Sequence, residues 1–266
     1  MRVGVLFLVI TLWATIGSAS EKVDRLMDAI RLEQVIDILR SEGREQAKEL
    51  NETLLGNSGG SYFSAQLDVI YDAEWMHDQI SDVFQEALTE GQLDRAIVFY
   101  ESDLGQTLVS LENSAREAIG DETILEMAKD SFLTGNHDVS LYRLIDEYIE
   151  VNDLIAKNVH SAISADFQFF RGLNEDVGAD DQEILAQLLT EKDAITQDTE
   201  TWLYSFLLMA YQPLEDGQMR ENIAFSRTET GRAVNKAFFD SFDQMYDDIY
   251  YRLGQAVSHA LTASDL

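Results

Sequence analysis

The stretch Gly56-Asn57-Ser58-Gly59-Gly60 has the spacing G-x-S-x-G, which exposes a nucleophilic serine when it sits on a strained turn between a strand and a helix. The residues before it, Glu45 to Leu55, read as helix, and no parallel sheet is in prospect, so the segment reads as an interhelical loop. Its glycines also suit an anion nest, yet no Lys or Arg lies between Lys48 and Arg95 to reinforce one. His77 has Glu74 and Asp78 for neighbours, while His137, His160 and His259 are far apart. None has a histidine three or four residues away, as a helical zinc pair requires. Glu175, Asp176, Asp180, Asp181 and Glu183 offer the oxygen ligands that Ca²⁺ takes, but without the EF-hand spacing and glycine. They read as a polar loop that starts a helix at Asp180. A general acid and base for glycoside hydrolysis cannot be singled out among 49 acidic residues by spacing. No catalytic residue, metal ligand or cofactor is therefore assigned.

The surface that would carry any such chemistry is strongly acidic, with 19 Lys and Arg against 49 Asp and Glu and a net charge of −30. It repels nucleic acid and anionic headgroups. It suits a basic partner or, more simply, solubility in a salty medium, because the acids are spread along the whole chain. Arg2 precedes an apolar run from Val3 to Ile16 that ends in Gly17-Ser18-Ala19, the form of a signal peptide cleaved after Ala19. That run is shorter than the roughly 20 apolar residues of a membrane span, and no later segment is apolar enough, so no membrane span is expected after signal removal. The periplasm is the expected destination. Disulfides would be allowed there, but the sequence has no cysteine, so stability must come from burial.

Periodicity points to an all-α fold. Val23, Leu26, Met27 and Ile30 form one apolar stripe, and Ile80, Val83, Phe84, Ala87 and Leu88 another. From Leu141 through Leu144, Ile145, Tyr148, Ile155 and Val159 to Ile163 a single stripe is expected over six turns, with Asn152 its polar intruder. The single proline, Pro213, leaves few helices interrupted. Breaks are expected at Gly56 to Ser61, Gly91, Gly120-Asp121, Gly135 to Asp138, Gly172 to Asp181 and Pro213 to Gly217.

The halves repeat each other. Glu90 to Gln106 aligns with Asp216 to Arg232 at a constant offset of 126, and Arg25 to Asp28 aligns with Arg143 to Asp146 at 118. Two tandem diverged helical modules, 20–136 and 137–266 after a signal peptide at 1–19, are therefore expected to pack into a multi-helix bundle. The repeat motif is Phe99, Ser102 and Gly105 in the first module and Phe225, Thr228 and Gly231 in the second. A helix carrying the Phe should end at the hydroxyl residue, which caps the next helix. Asp103 or Glu229 follows in its first turn, where a negative charge suits the dipole. Glycine next costs roughly 1 kcal/mol of helix propensity against Ala, which implies a neighbouring helix too close for a side chain.

An apolar helix end with Phe, then Ser or Thr-x-x-Gly before a second amphipathic helix, resembles the bacterial exported domain-of-unknown-function 2059 family. That family typically has Pro after the Ser, where Asp103 and Glu229 stand here; proline and an acid are alternative ways to open a helix. The resemblance implies an all-helical periplasmic protein and supplies no activity or catalytic residue.

Rings are concentrated in the second module, where Phe167, Phe170, Trp202, Phe206, Phe239 and Tyr250 are the expected ligand or partner surface. Most helical aromatic residues belong to a core, but this surplus suits an apolar groove as well. The expected function is noncatalytic: protein interaction or envelope-associated binding through an acidic surface, with a protein partner not identified by the sequence. The alternatives are a carrier of a small apolar ligand in an aromatic-lined groove and a carboxylate-based hydrolase.

Overall fold

A computed structural model describes residues 13–175 and 178–264. Most of the expected signal segment, residues 1–12, lies outside the described residues, as do Asp176 of the acidic loop and Val177. Thirteen helices and no strand occur among the described residues. They are α1 (Trp13–Ala29), α2 (Leu32–Thr53), α3 (Gly60–Ile70), α4 (Ala73–Ala87), α5 (Glu90–Tyr100), α6 (Asp103–Ile119) and α7 (Glu122–Thr134). After Gly135 come α8 (Ser140–Asn152), α9 (Leu154–Leu173), α10 (Asp181–Thr190), α11 (Lys192–Tyr211), α12 (Asp216–Ser226) and α13 (Glu229–Ser264). The protein is an all-α multi-helix bundle.

Polar residues that accept from early backbone N–H groups open several of these helices. Asp72 caps α4, Asp121 caps α7 and Asp180 caps α10 through their carboxylates. Gln92 Oε1 accepts from the Thr89 N–H at 2.9 Å, and Gln218 Oε1 accepts from the Glu215 N–H at 3.0 Å, so α5 and α12 start alike. Gly91 and Gly217 are not breaks, since each is the second residue of its helix. The break expected at Gly172 to Asp181 is found, since α9 ends at Leu173 and α10 begins at Asp181; Gly172 also lies where α9 crosses α13, and a Cβ there would fall 2.0 Å from the Tyr251 carbonyl oxygen.

The six-turn stripe from Leu141 to Ile163 is two helices. Asp153 has left-handed backbone (φ 54°, ψ 40°) and turns the chain between α8 and α9. Arg31 does the same between α1 and α2 (φ 54°, ψ 48°). The apolar spacing continues across both turns, so periodicity gives no sign of them.

The halves are interleaved. One core cluster joins buried residues of α1 to α5, among them Leu26, Met76, Ile80 and Leu93, to Val234, Met245, Ile249, Leu253 and Val257 of α13. The other joins Leu144, Ile145, Leu203, Leu207, Met219 and Ile223 of α8, α11 and α12 to Leu104, Leu108 and Ala115 of α6. The helix that follows each Phe-Ser/Thr-Gly motif thus completes the core of the opposite half, and the boundary expected at 136/137 is crossed by both clusters.

Candidate functional site

The repeat motif makes the same joint twice. Ser102 Oγ accepts from the Gly105 N–H at 3.0 Å and donates to the Phe99 carbonyl at 2.6 Å. Thr228 Oγ1 accepts from the Gly231 N–H at 2.9 Å and donates to the Phe225 carbonyl at 2.7 Å. A Cβ on Gly105 would lie 2.2 Å from the Phe99 oxygen, and one on Gly231 would lie 2.1 Å from the Phe225 oxygen. The close neighbour is in each case the last turn of the preceding helix. The two joints bring Phe99 and Phe225 face to face, with ring centroids 3.7 Å apart and planes within 2°.

Beside this stacked pair lies a cavity of about 420 Å³ between the halves, within the usual range of ligand sites. Its lining is drawn from α2, α5, α6, α8, α9, α11, α12 and α13. The α6 residues include Leu108, Val109, Glu112, Asn113 and Arg116; the α13 residues include Val234, Asn235, Phe238, Phe239 and Phe242. Residues 112, 113 and 116 lie 126 positions before 238, 239 and 242, the offset between the two joints. At those positions α6 is polar and α13 aromatic. Phe238, Phe242, Tyr246 and Tyr250 form a ladder along α13 with centroids 6.1–6.3 Å apart. Trp202 stacks on Phe206 at 5.2 Å across from them.

The polar wall is largely satisfied from outside the cavity. Arg116 meets Glu42 with both Nε (3.0 Å) and Nη2 (2.9 Å), and Asn113 Nδ2 donates to Gln34 Oε1 at 3.2 Å. Glu112 accepts from the Tyr211 hydroxyl at 2.5 Å. Burial pushes the Glu112 carboxyl above the usual carboxylate range, and the Tyr211 bond only partly offsets that. The backbone turn at Asp153 frees the Asn152 carbonyl, which accepts from Lys157 Nζ and Asn235 Nδ2, both at 3.0 Å. Asn222 Nδ2, in a residue 5% exposed that lines the cavity beside Tyr148, makes no well-formed hydrogen bond.

A second cavity of about 410 Å³ lies between α2, α9, α10, α11 and α13 and is lined by Phe170, Tyr250, Asp166 and Glu191. Burial, and then the nearby Glu191 charge, raises the Asp166 carboxyl above its ordinary value.

The six expected surface rings are divided between these places. Trp202, Phe206 and Phe239 line the larger cavity, Phe170 and Tyr250 the smaller. Phe167 lines neither and lies under the Arg171 guanidinium at 5.6 Å. None of the six is buried. Glu112, Asn222, Phe238 and Phe242 were not among the expected site residues; the difference between 112, 113, 116 and 238, 239, 242 was the available sign.

Other expectations fall in plainer surroundings. Ser58 donates to the Leu55 carbonyl at 2.5 Å in the α2–α3 loop. His77 Nδ1 lies 3.6 Å from Asp78, and Glu175 accepts from Gln255 at 2.5 Å. Among the described residues no group of three His, Asp or Glu side chains converges to hold a metal ion, and no helix is long and apolar enough to cross a membrane.

A family model described as an uncharacterized protein conserved in bacteria (DUF2059) matches residues 74–130. That segment runs from α4 through α6 into α7 and contains Phe99, Ser102 and Gly105. No curated protein and no solved structure matches the chain.

Proposed function

We propose that the protein is an exported, noncatalytic binding protein that holds a small, largely apolar ligand in the cavity between two diverged copies of one helical module. The observation that carries this reading is the larger cavity, with Phe238, Phe239 and Phe242 on one wall and the Trp202–Phe206 stack across from it. The copies are residues 20–136 and 137–266; their support is the double joint at offset 126 and the left-handed turns at Arg31 and Asp153. Duplication with exchange of the helices after the joint creates a cavity across the two halves. Divergence of its walls then leaves one aromatic. Cleavage after Ala19 delivers the protein to the periplasm, where its acidic exterior keeps it soluble and repels anionic headgroups, and where a basic protein partner would meet it.

The test is titration with N-phenyl-1-naphthylamine, read by dye emission and by energy transfer from Trp202. Saturable one-to-one binding is expected, abolished by Val109→Trp, which fills the cavity from α6. Dye binding that never saturates, or that the filled variant retains with unchanged helical content, removes the reading.

A carboxylate-based hydrolase is a second reading, favoured by the elevated Asp166 carboxyl beside Glu191 in the smaller cavity. It requires that nitrophenyl glycosides or esters turn over and that Asp166→Asn stop the turnover. Equal background rates in both proteins reject it.

A further inference from the structure

Asn222 Nδ2 is a buried donor that makes no well-formed hydrogen bond, although the Tyr148 hydroxyl of α8 is close to its amide. Buried polar groups in folded proteins are paired in roughly nine cases of ten or more, and an unmade bond costs about 1–3 kcal/mol. Asn222 lies on α12, three residues before Phe225, and lines the cavity beside Tyr148 of α8. The same cavity offers no free cation: Arg116 spends its Nε and Nη2 on Glu42. It does contain the Glu112 carboxyl. A ligand carboxylate or phosphate would meet that acid with no unpaired charge to balance it. A pure hydrocarbon would leave the Asn222 amide unmatched.

We propose that Asn222 Nδ2 donates a hydrogen bond to the carbonyl oxygen of an uncharged amphipathic ligand, an ester or amide of an acyl or aryl group. The apolar body of that ligand lies against Phe238, Phe239 and Phe242. This rests on the cavity being a binding site, and it adds which end of the ligand goes where. The placement of Asn222 on α12 and of the three rings on α13 gives the ligand its direction: its carbonyl turns to α12 and its hydrocarbon to α13.

Full-length protein is titrated by calorimetry with methyl octanoate, octanoate and octane, beside Asn222→Leu. Methyl octanoate is expected to bind at least tenfold more tightly than octanoate at pH 7.5. In Asn222→Leu its affinity should fall about tenfold while that for octane changes by less than twofold; tenfold corresponds to about 1.4 kcal/mol, within the cost of an unmade buried bond. Should Asn222→Leu not fold, the infrared carbonyl band of ¹³C-labelled methyl octanoate bound to the unaltered protein decides: it is expected below its frequency in hexane. Equal ester affinity in both proteins, a band at the hexane frequency, or tightest binding of octanoate overturns the carbonyl assignment and leaves the cavity reading standing. Absence of saturable binding for all three overturns both.

Discussion

Replacing Gly105 by alanine tests the joint that sets the two halves together. The added Cβ would sit 2.2 Å from the Phe99 oxygen, 2.6 Å from Tyr100 Cα and 2.8 Å from the Tyr100 oxygen. All three are backbone atoms, so no side chain can swing aside. Relief to an ordinary carbon–oxygen contact of about 3.3 Å moves the start of α6 away from α5 by about 1 Å. That stretches the 3.0 Å bond from the Gly105 N–H to Ser102 Oγ, a cap worth about 1 kcal/mol. Overpacking adds about 1–3 kcal/mol, and the better helix propensity of alanine returns about 1 kcal/mol. The expected net loss is about 1–3 kcal/mol, or roughly 3–10 °C in melting temperature for a chain of this size. Urea unfolding followed by circular dichroism measures it. Gly91→Ala is the control: its Cβ meets only Arg95 Nη1 at 3.4 Å, so that variant should be neutral or slightly stabilised. Gly105→Ala as stable as the unaltered protein, or more so, refutes the close-approach argument.

Phe99→Ala and Phe225→Ala should each cost about 2–3 kcal/mol, because the rings are half-buried. Their double-mutant cycle is expected to show a coupling of about 0.5–1.5 kcal/mol from the stack, and strict additivity would mean the halves do not meet there. The Glu112 carboxyl is raised by burial in the fold, so between its unfolded and folded pKa values the native state binds more protons than the unfolded chain. Stability from this group is therefore present at acid pH and lost as pH rises through that window. Each pH unit of elevation is worth about 1.4 kcal/mol. Glu112→Gln should match the unaltered protein near pH 4 and be the more stable of the two at pH 7.5, in thermal melts across that range; a constant difference at all pH values contradicts the assignment.

Caps made the helix starts readable. Asp180 was expected to open a helix from its residue type and opens α10, and the hydroxyls of Ser102 and Thr228 accept at the starts of α6 and α13. The turn at Arg31 was hidden because left-handed backbone is costly for residues other than Gly, Asn and Asp, and the turn at Asp153 because aspartates are scattered along the whole chain. Gly172 marked the end of α9 to within one residue, while its second role, the close approach of α9 to α13, could not be read from the glycine alone. An apolar stripe states that a face is buried but not against which helix, so the packing of α13 with α1 to α5, and of α6 with α8, α11 and α12, was beyond periodicity. Counting rings found five residues that line cavities. It missed Glu112 and Asn222, which are inconspicuous in a chain with 49 acids and many amides.

The most direct measurement is a crystal structure of the protein grown with methyl 8-bromooctanoate, in which the bromine is located by anomalous scattering. The expected peak lies between α6 and α13 against Phe238 or Phe242, with the ester carbonyl toward Asn222. A bromine found only on the outer surface, with ordered water filling the space beside Phe99 and Phe225, would contradict a ligand site between the two halves.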